Sequence, residues 1–239
     1  MGIRESIGWT TRTWNPVTGC WGPEGSPTNP NRCFYCYAHR MAGRLRGRCG
    51  YPERDPFAPT FHPYRLAAPS KCKKPTRIFV CSMADLFGDW VPRLWIQSVL
   101  SIVRQCPRHT FLFLTKNPAR YHDFHFPQNC WLGATADAFE PGYWSALALA
   151  DLPNTTFLSH EPLLDLVYTN YKALSWIDWI IVGAMTGPGA KQHAPEKECI
   201  RNIVQQANRF NVPIFMKDNL RPYWQGELVQ RLPEQPCRS

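Results

Sequence analysis

Three cysteines stand where they can share one chemical centre. Cys33 and Cys36 are separated by two residues, and Cys20 lies upstream across twelve intervening residues, at the end of the turn-rich stretch NPVTGC. A Cys-x-x-Cys pair brings two thiolates onto one centre, a geometry that serves zinc and iron–sulfur clusters alike, because both take several soft sulfur ligands from a loop. Ala38, Met41, Ala42 and Leu45 follow at i, i+3, i+4 and i+7, which predicts a helix beginning close to Cys36. The amides of its first turn would then point at the sulfurs, and the positive end of its dipole favours an anionic ligand set.

Two kinds of centre fit this pattern. A zinc ion closed by His39 would have three thiolates and one imidazole, and one closed by Cys49 would have four thiolates spaced twelve, two and twelve residues apart. Such a site staples a fold and does no redox chemistry. A [4Fe-4S] cluster held by only three thiolates leaves one iron open to chelate the amino and carboxylate groups of S-adenosylmethionine (SAM). Reductive cleavage of the sulfonium then yields a 5′-deoxyadenosyl radical, which the protein must shield from water.

The rest of the chain has to position this loop. From residue 77 onward, short apolar runs alternate with longer amphipathic segments, the pattern of βα units around a parallel sheet. The runs are Arg77 to Cys81, Thr110 to Leu114, Cys130 to Gly133, Thr156 to Leu158, Trp179 to Val182 and Pro213 to Met216. Near-continuous hydrophobicity is what a strand covered on both faces requires. A first strand near Trp9 to Trp14 brings the count to about seven, fewer than the eight of a closed barrel. The expected fold is therefore α/β, a partial (βα)6-7 TIM-like barrel with a mainly parallel sheet. Residues 1–239 are expected to form a single domain, with a cluster loop at about 15–48 and a long basic, Pro-rich surface loop at about 50–75. Helices are expected over Trp90 to Gln105 and Glu196 to Phe210. In parallel α/β folds the loops after the strands build the site. Those ends carry Ser82 and Asp85, Thr115 and Lys116, Thr135 and Asp137, Ser159 to Glu161, Thr186 to Gly189, and Lys217 to Asn219.

The Cys-x-x-Cys pair with an aromatic, Tyr35, before its second cysteine resembles the cluster loop of radical SAM enzymes. Across much of residues 13 to 135, the segments TWNPVTGC, CFYCYA, FAPTFHPYRL, IFVCSMADLFGDWVP, HTFLFLTKNP and NCWLGAT also resemble a poorly characterised, partly phage-encoded family of three-cysteine radical-SAM-like proteins. The resemblance implies that Cys20, Cys33 and Cys36 hold the [4Fe-4S] cluster and that Tyr35 lies near the SAM adenine. It also implies that Ser82 and Asp85, after the second strand, take the place where the superfamily binds the SAM amino group. The usual spacing of that superfamily is Cys-x3-Cys-x2-Cys, and its Gly-Gly-Glu is absent here. Ribose hydroxyls and a carboxylate need acceptors, donors and a cation, which makes Thr115, Lys116, Ser159 and Glu161 the further cofactor-binding candidates.

Lys and Arg exceed Asp and Glu enough to give a net charge of +9. Such a surplus attracts polyanions. Arg40, Arg44, Arg46 and Arg48, directly after the cysteines, are the candidate nucleic-acid-binding residues. Ten cysteines in a chain without a secretory h-region or a membrane-length apolar run indicate a cytoplasmic protein with reduced thiols. The expected function is a radical SAM enzyme acting on DNA, RNA or a nucleotide-linked substrate, in base modification or repair. It would draw electrons from an external donor such as a flavodoxin or ferredoxin. The alternative is a zinc-stapled nucleic-acid-binding protein without catalysis.

Overall fold

The computed structural model describes residues 4–5, 8–137, 139–165 and 171–233, which leaves Cys237 outside the described residues. The chain divides into two compact units, Met1–Trp131 and Leu132–Ser239.

In the first unit, β1 (Arg4–Glu5) runs antiparallel to β2 (Arg12–Trp14), and β2 is parallel to β5 (Arg77–Val80), which is parallel to β6 (Thr110–Thr115). Register pairs Thr13 with Phe79 and Phe79 with Leu112. The apolar runs of β5 and β6 are covered as expected, with Ile78, Phe111 and Leu112 fully buried. Helix α2 (Arg93–Gln105) buries Ile96, Val99, Leu100 and Val103, a stripe at helical spacing. It starts three residues later than the sequence suggests, because Pro92 takes the extended N-cap position with ψ 137 and Trp90 stays in the preceding turn.

Between β2 and β5, β3 (Val17–Thr18) pairs antiparallel with β4 (Thr60–Phe61), and α1 spans Tyr37–Arg44. The 50–75 segment is not a wholly superficial loop. It holds β4 and two 3-10 turns, at Pro63–Arg65 and Pro69–Lys71, and buries Tyr51, Phe57 and His62. Tyr51 and Phe57 join Ala38, Ala42 and Met83 in an apolar cluster against which Cys20 and Cys36 pack. Burial in irregular chain has no period, so no repeat in the sequence announces it.

The boundary between the units falls within β7 (Cys130–Thr135). The second unit continues with α3 (Phe139–Leu149), β8 (Thr155–His160), α4 (Tyr171–Leu174), β9 (Trp179–Val182), α5 (Lys197–Arg209) and β10 (Ile214–Met216). Strands β8, β9 and β10 are mutually parallel, with Ile181 between Ser159 and Phe215. Every residue of β8, β9 and β10 is buried. With seven parallel strands among the described residues and interleaved helices, the fold is α/β, the partial TIM-like barrel read from the sequence.

The strands run further than their apolar stretches. Thr115, Thr135, Ser159 and His160 are terminal strand residues, where the sequence suggests loop positions, because the ladder accepts β-branched and small polar side chains as readily as apolar ones. Among the described residues no helix is long and apolar enough to cross a membrane.

Candidate metal centre

Cys20 is fixed by its backbone. Gly19 adopts φ +88, a Cβ there would lie 2.2 Å from the Ala58 carbonyl oxygen, and its N–H donates to the Met83 carbonyl at 2.8 Å. Only glycine meets both demands. The Cys20 N–H donates to the Phe57 carbonyl at 2.9 Å, so the buried part of the 50–75 segment is what holds the first cysteine in place. From the other side, the Arg32 side chain donates to the Cys20 carbonyl at 3.4 Å and pairs with Asp55 at 2.6 Å, while its guanidinium lies over Trp21 and Phe57.

Cys36 is the N-cap of α1, and its sulfur accepts the His39 N–H at 3.3 Å, as the helical spacing after it leads one to expect. The Cys36 N–H donates to the Cys33 carbonyl at 3.0 Å, and the Cys20 sulfur accepts the Gly22 N–H at 3.2 Å. All three cysteines are half-buried and free of disulfides. Burial, reinforced by Asp85, pushes the Cys20 thiol up to about 12, and burial also raises Cys36. Loading a metal here therefore displaces protons.

Three soft thiolates suit an iron–sulfur cluster or a zinc ion by their chemistry. Among the described residues no group of three or more His, Cys, Asp or Glu side chains is placed to hold a metal ion. His39 instead packs on Phe57 and contacts Arg32 at 3.4 Å, and Cys49 is exposed with its carbonyl bound by Tyr64 and Arg65.

The polar candidates of this unit form a network beside the loop. Asp85 is half-buried and accepts the Thr115 hydroxyl at 2.6 Å, the Lys116 N–H at 2.9 Å and the Phe87 N–H at 3.1 Å. Burial, the larger influence, pushes its carboxyl upward against those donors. Thr115 in turn accepts the Asn117 N–H at 2.9 Å, so both side chains lock the ends of β5 and β6 together. Ser82 exchanges hydrogen bonds with the Asn15 side chain, which also receives the Met83 N–H at 3.0 Å. The Lys116 ammonium lies 5.6 Å from the Tyr35 ring centroid. Asp85, Thr115 and Ser82 thus tie the strand ends and the cysteine loop together.

The four arginines divide. Arg40 donates to the Tyr35 carbonyl at 3.2 Å, Arg46 is tied to the carbonyls of Glu53 and Arg54, and Arg44 and Arg48 are exposed. In the second unit, Ser159 is the last residue but one of β8 and fully buried, and Glu161 forms an ion pair with Lys217. Asn15, Gly19 and Arg32 escape a reading by residue chemistry. The available signals were only a glycine directly before one cysteine, an arginine directly before another, and an Asn-Pro turn.

Over residues 4–231 the chain matches the family described as "Protein of unknown function (DUF5131)". No curated protein matches it. Solved structures of spore photoproduct lyase share its fold. A tyrosine-to-phenylalanine mutant aligns with a TM-score of 0.60 at 11% identity, over 90% of this chain and 78% of that one. A cysteine-to-serine mutant gives 0.56 at 11% identity, over 95% and 78%. A double mutant with bound AdoMet and dinucleoside spore photoproduct gives 0.51 at 12% identity, over 90% and 57%.

Proposed function

We propose, from the premise that this chain belongs to the DUF5131 family, that it is a radical SAM enzyme in which Cys20, Cys33 and Cys36 hold a [4Fe-4S] cluster and whose substrate is a nucleic acid. The observation that carries this reading is the trio of free, half-buried thiols, two of them receiving backbone N–H groups, in a chain with the fold of spore photoproduct lyase. When bound, the cluster supplies an electron that cleaves SAM to methionine and a 5′-deoxyadenosyl radical.

The chain's own residues bind and orient. Lys116 supplies a cation for the SAM carboxylate, and Tyr35, already beside that ammonium, supplies a ring face for the adenine. Asp85 and Thr115 keep Lys116 in register, and Asn15 keeps Ser82 against the Cys20 loop. A nucleic-acid substrate is supported by the net charge of +9, by the exposed Arg44 and Arg48, and by the dinucleoside lesion bound in one structure of spore photoproduct lyase. An electron donor of flavodoxin or ferredoxin type completes the scheme.

The test is anaerobic purification from iron-replete cells, followed by iron and sulfide analysis and measurement of 5′-deoxyadenosine with SAM and reductant. Iron with sulfide and SAM cleavage in the wild type is the expected result. Iron should be lost in Cys20→Ala, Cys33→Ala and Cys36→Ala and retained in Cys106→Ala. Zinc without iron in such a preparation, or iron retained by all four variants, overturns the proposal.

A further inference from the structure

In the second unit the ends of three adjacent parallel strands carry one row of side chains. Glu161 follows β8, Gly183 follows β9 and Lys217 follows β10, and the ladder continues through them, with the Gly183 N–H on the His160 carbonyl at 3.0 Å and the Lys217 N–H on the Val182 carbonyl at 2.9 Å. A Cβ built on Gly183 would lie 2.9 Å from Lys217 Cδ and 3.3 Å from Glu161 Cγ, so all three positions face the same way. The missing side chain in the middle lets the lysine cross to the carboxylate. The ammonium and carboxylate are in direct contact while the two side chains remain 17% and 25% exposed, so the pair is neither sealed in the core nor free in solvent.

One row deeper on the same face stands Ser159, two residues before Glu161. Its side chain is fully buried, and its hydroxyl has no hydrogen-bond partner among the described residues. A buried hydroxyl left unpaired is costly. One row below the ion pair in the register, it is a polar group with a hydrogen bond left to make.

We infer that Glu161 and Lys217 read the hydrogen-bonding edge of an unpaired nucleobase, with Ser159 completing the subsite. This rests on the nucleic-acid part of the function proposed above. The pair is electrically neutral, so a phosphate gains from the ammonium about what it loses to the carboxylate. A base edge sets a ring N–H donor beside a carbonyl acceptor, and it gains from both partners: the carboxylate accepts the N–H and the ammonium donates to the carbonyl. Such an edge is exposed only when the base is unpaired or turned out of the stack.

The experiment compares, by fluorescence anisotropy on the anaerobically purified protein, three single-stranded probes of equal length: oligothymidylate, its N3-methylated counterpart and an abasic strand. The wild type should bind the unmethylated strand at least about tenfold more tightly than the methylated one, because the methyl group removes the donor and leaves the carboxylate unpaired. Glu161→Gln and Lys217→Met should each erase that preference and leave abasic binding unchanged. Equal affinity of the wild type for the two thymine strands, or a preference kept by both variants, overturns the inference, and the wild-type comparison decides even if a variant misfolds. Iron content and 5′-deoxyadenosine are measured on the same samples. Cluster and SAM cleavage without base discrimination overturn this subsite alone, whereas base discrimination in a protein that holds no iron upholds the subsite and overturns the radical reading.

Discussion

Arg32→Ala probes how the cysteine loop is held, and its cost can be worked from the contacts it removes. The pair with Asp55 is 2.6 Å long, but Asp55 is 37% exposed, so solvent limits it to about 0.5–1 kcal/mol. The guanidinium lies 5.4 Å from the Trp21 centroid and 5.6 Å from that of Phe57, each contact contributing about 0.5–1 kcal/mol. The 3.4 Å bond to the Cys20 carbonyl is long and adds about 0.5 kcal/mol. Together these give about 2–3.5 kcal/mol, read in urea as a midpoint roughly 1 M lower at an unchanged slope. Arg32→Lys keeps the charge but loses the planar fork that serves Asp55 and Cys20 together, and it should recover less than half of the loss. Iron per chain after anaerobic purification should fall in both variants, further in Arg32→Ala. A loss below about 0.5 kcal/mol in Arg32→Ala, or lysine restoring full stability, would refute the view that this guanidinium organises the loop.

Gly19→Ala places a Cβ 2.2 Å from the Ala58 carbonyl oxygen at φ +88. Backbone cannot yield cheaply there, so about 2–4 kcal/mol of stability and most of the bound iron should be lost, as chemical denaturation and metal analysis will report. Gly183→Ala meets only flexible side chains and should cost about 1 kcal/mol, shrinking toward zero in a Lys217→Ala background if the clash with the ion pair is the cause. Burial, helped at His62 by Arg65, lowers both His62 and His160 to about 4. The unfolded chain therefore takes these protons first. Their stabilising effect is complete above about pH 6.5 and drains as pH falls toward 4, at up to about 1.4 kcal/mol per pH unit for each histidine. His62→Gln should flatten the pH dependence of the urea midpoint by about one proton, and an unchanged slope counts against this assignment.

The sequence was informative wherever chemistry or period left a local mark. The run of Trp179 to Val182 is apolar throughout and is a strand with those bounds, because a strand covered on both faces needs four apolar residues in a row. Helix α1 begins at Tyr37 behind Cys36 because the apolar spacing and the cap residue agree. By contrast, the sequence marks Thr115 as a polar strand end, and the structure adds that its hydroxyl donates to Asp85 and accepts the Asn117 N–H. The 50–75 segment was read as superficial, while Phe57 is almost fully buried and its carbonyl holds Cys20.

By itself, then, the sequence determined the fold class and singled out three cysteines as candidates, since hydrophobic period and ligand spacing are properties of near neighbours along the chain. Only the tertiary structure decided which polar groups are free and which are already bonded to one another. It alone brought Arg32 to Asp55, Asn15 to Met83, and Glu161 across Gly183 to Lys217. Those partners lie tens of residues apart, and their meeting depends on the register of strands and the packing of irregular chain, neither of which leaves a pattern in the order of residues.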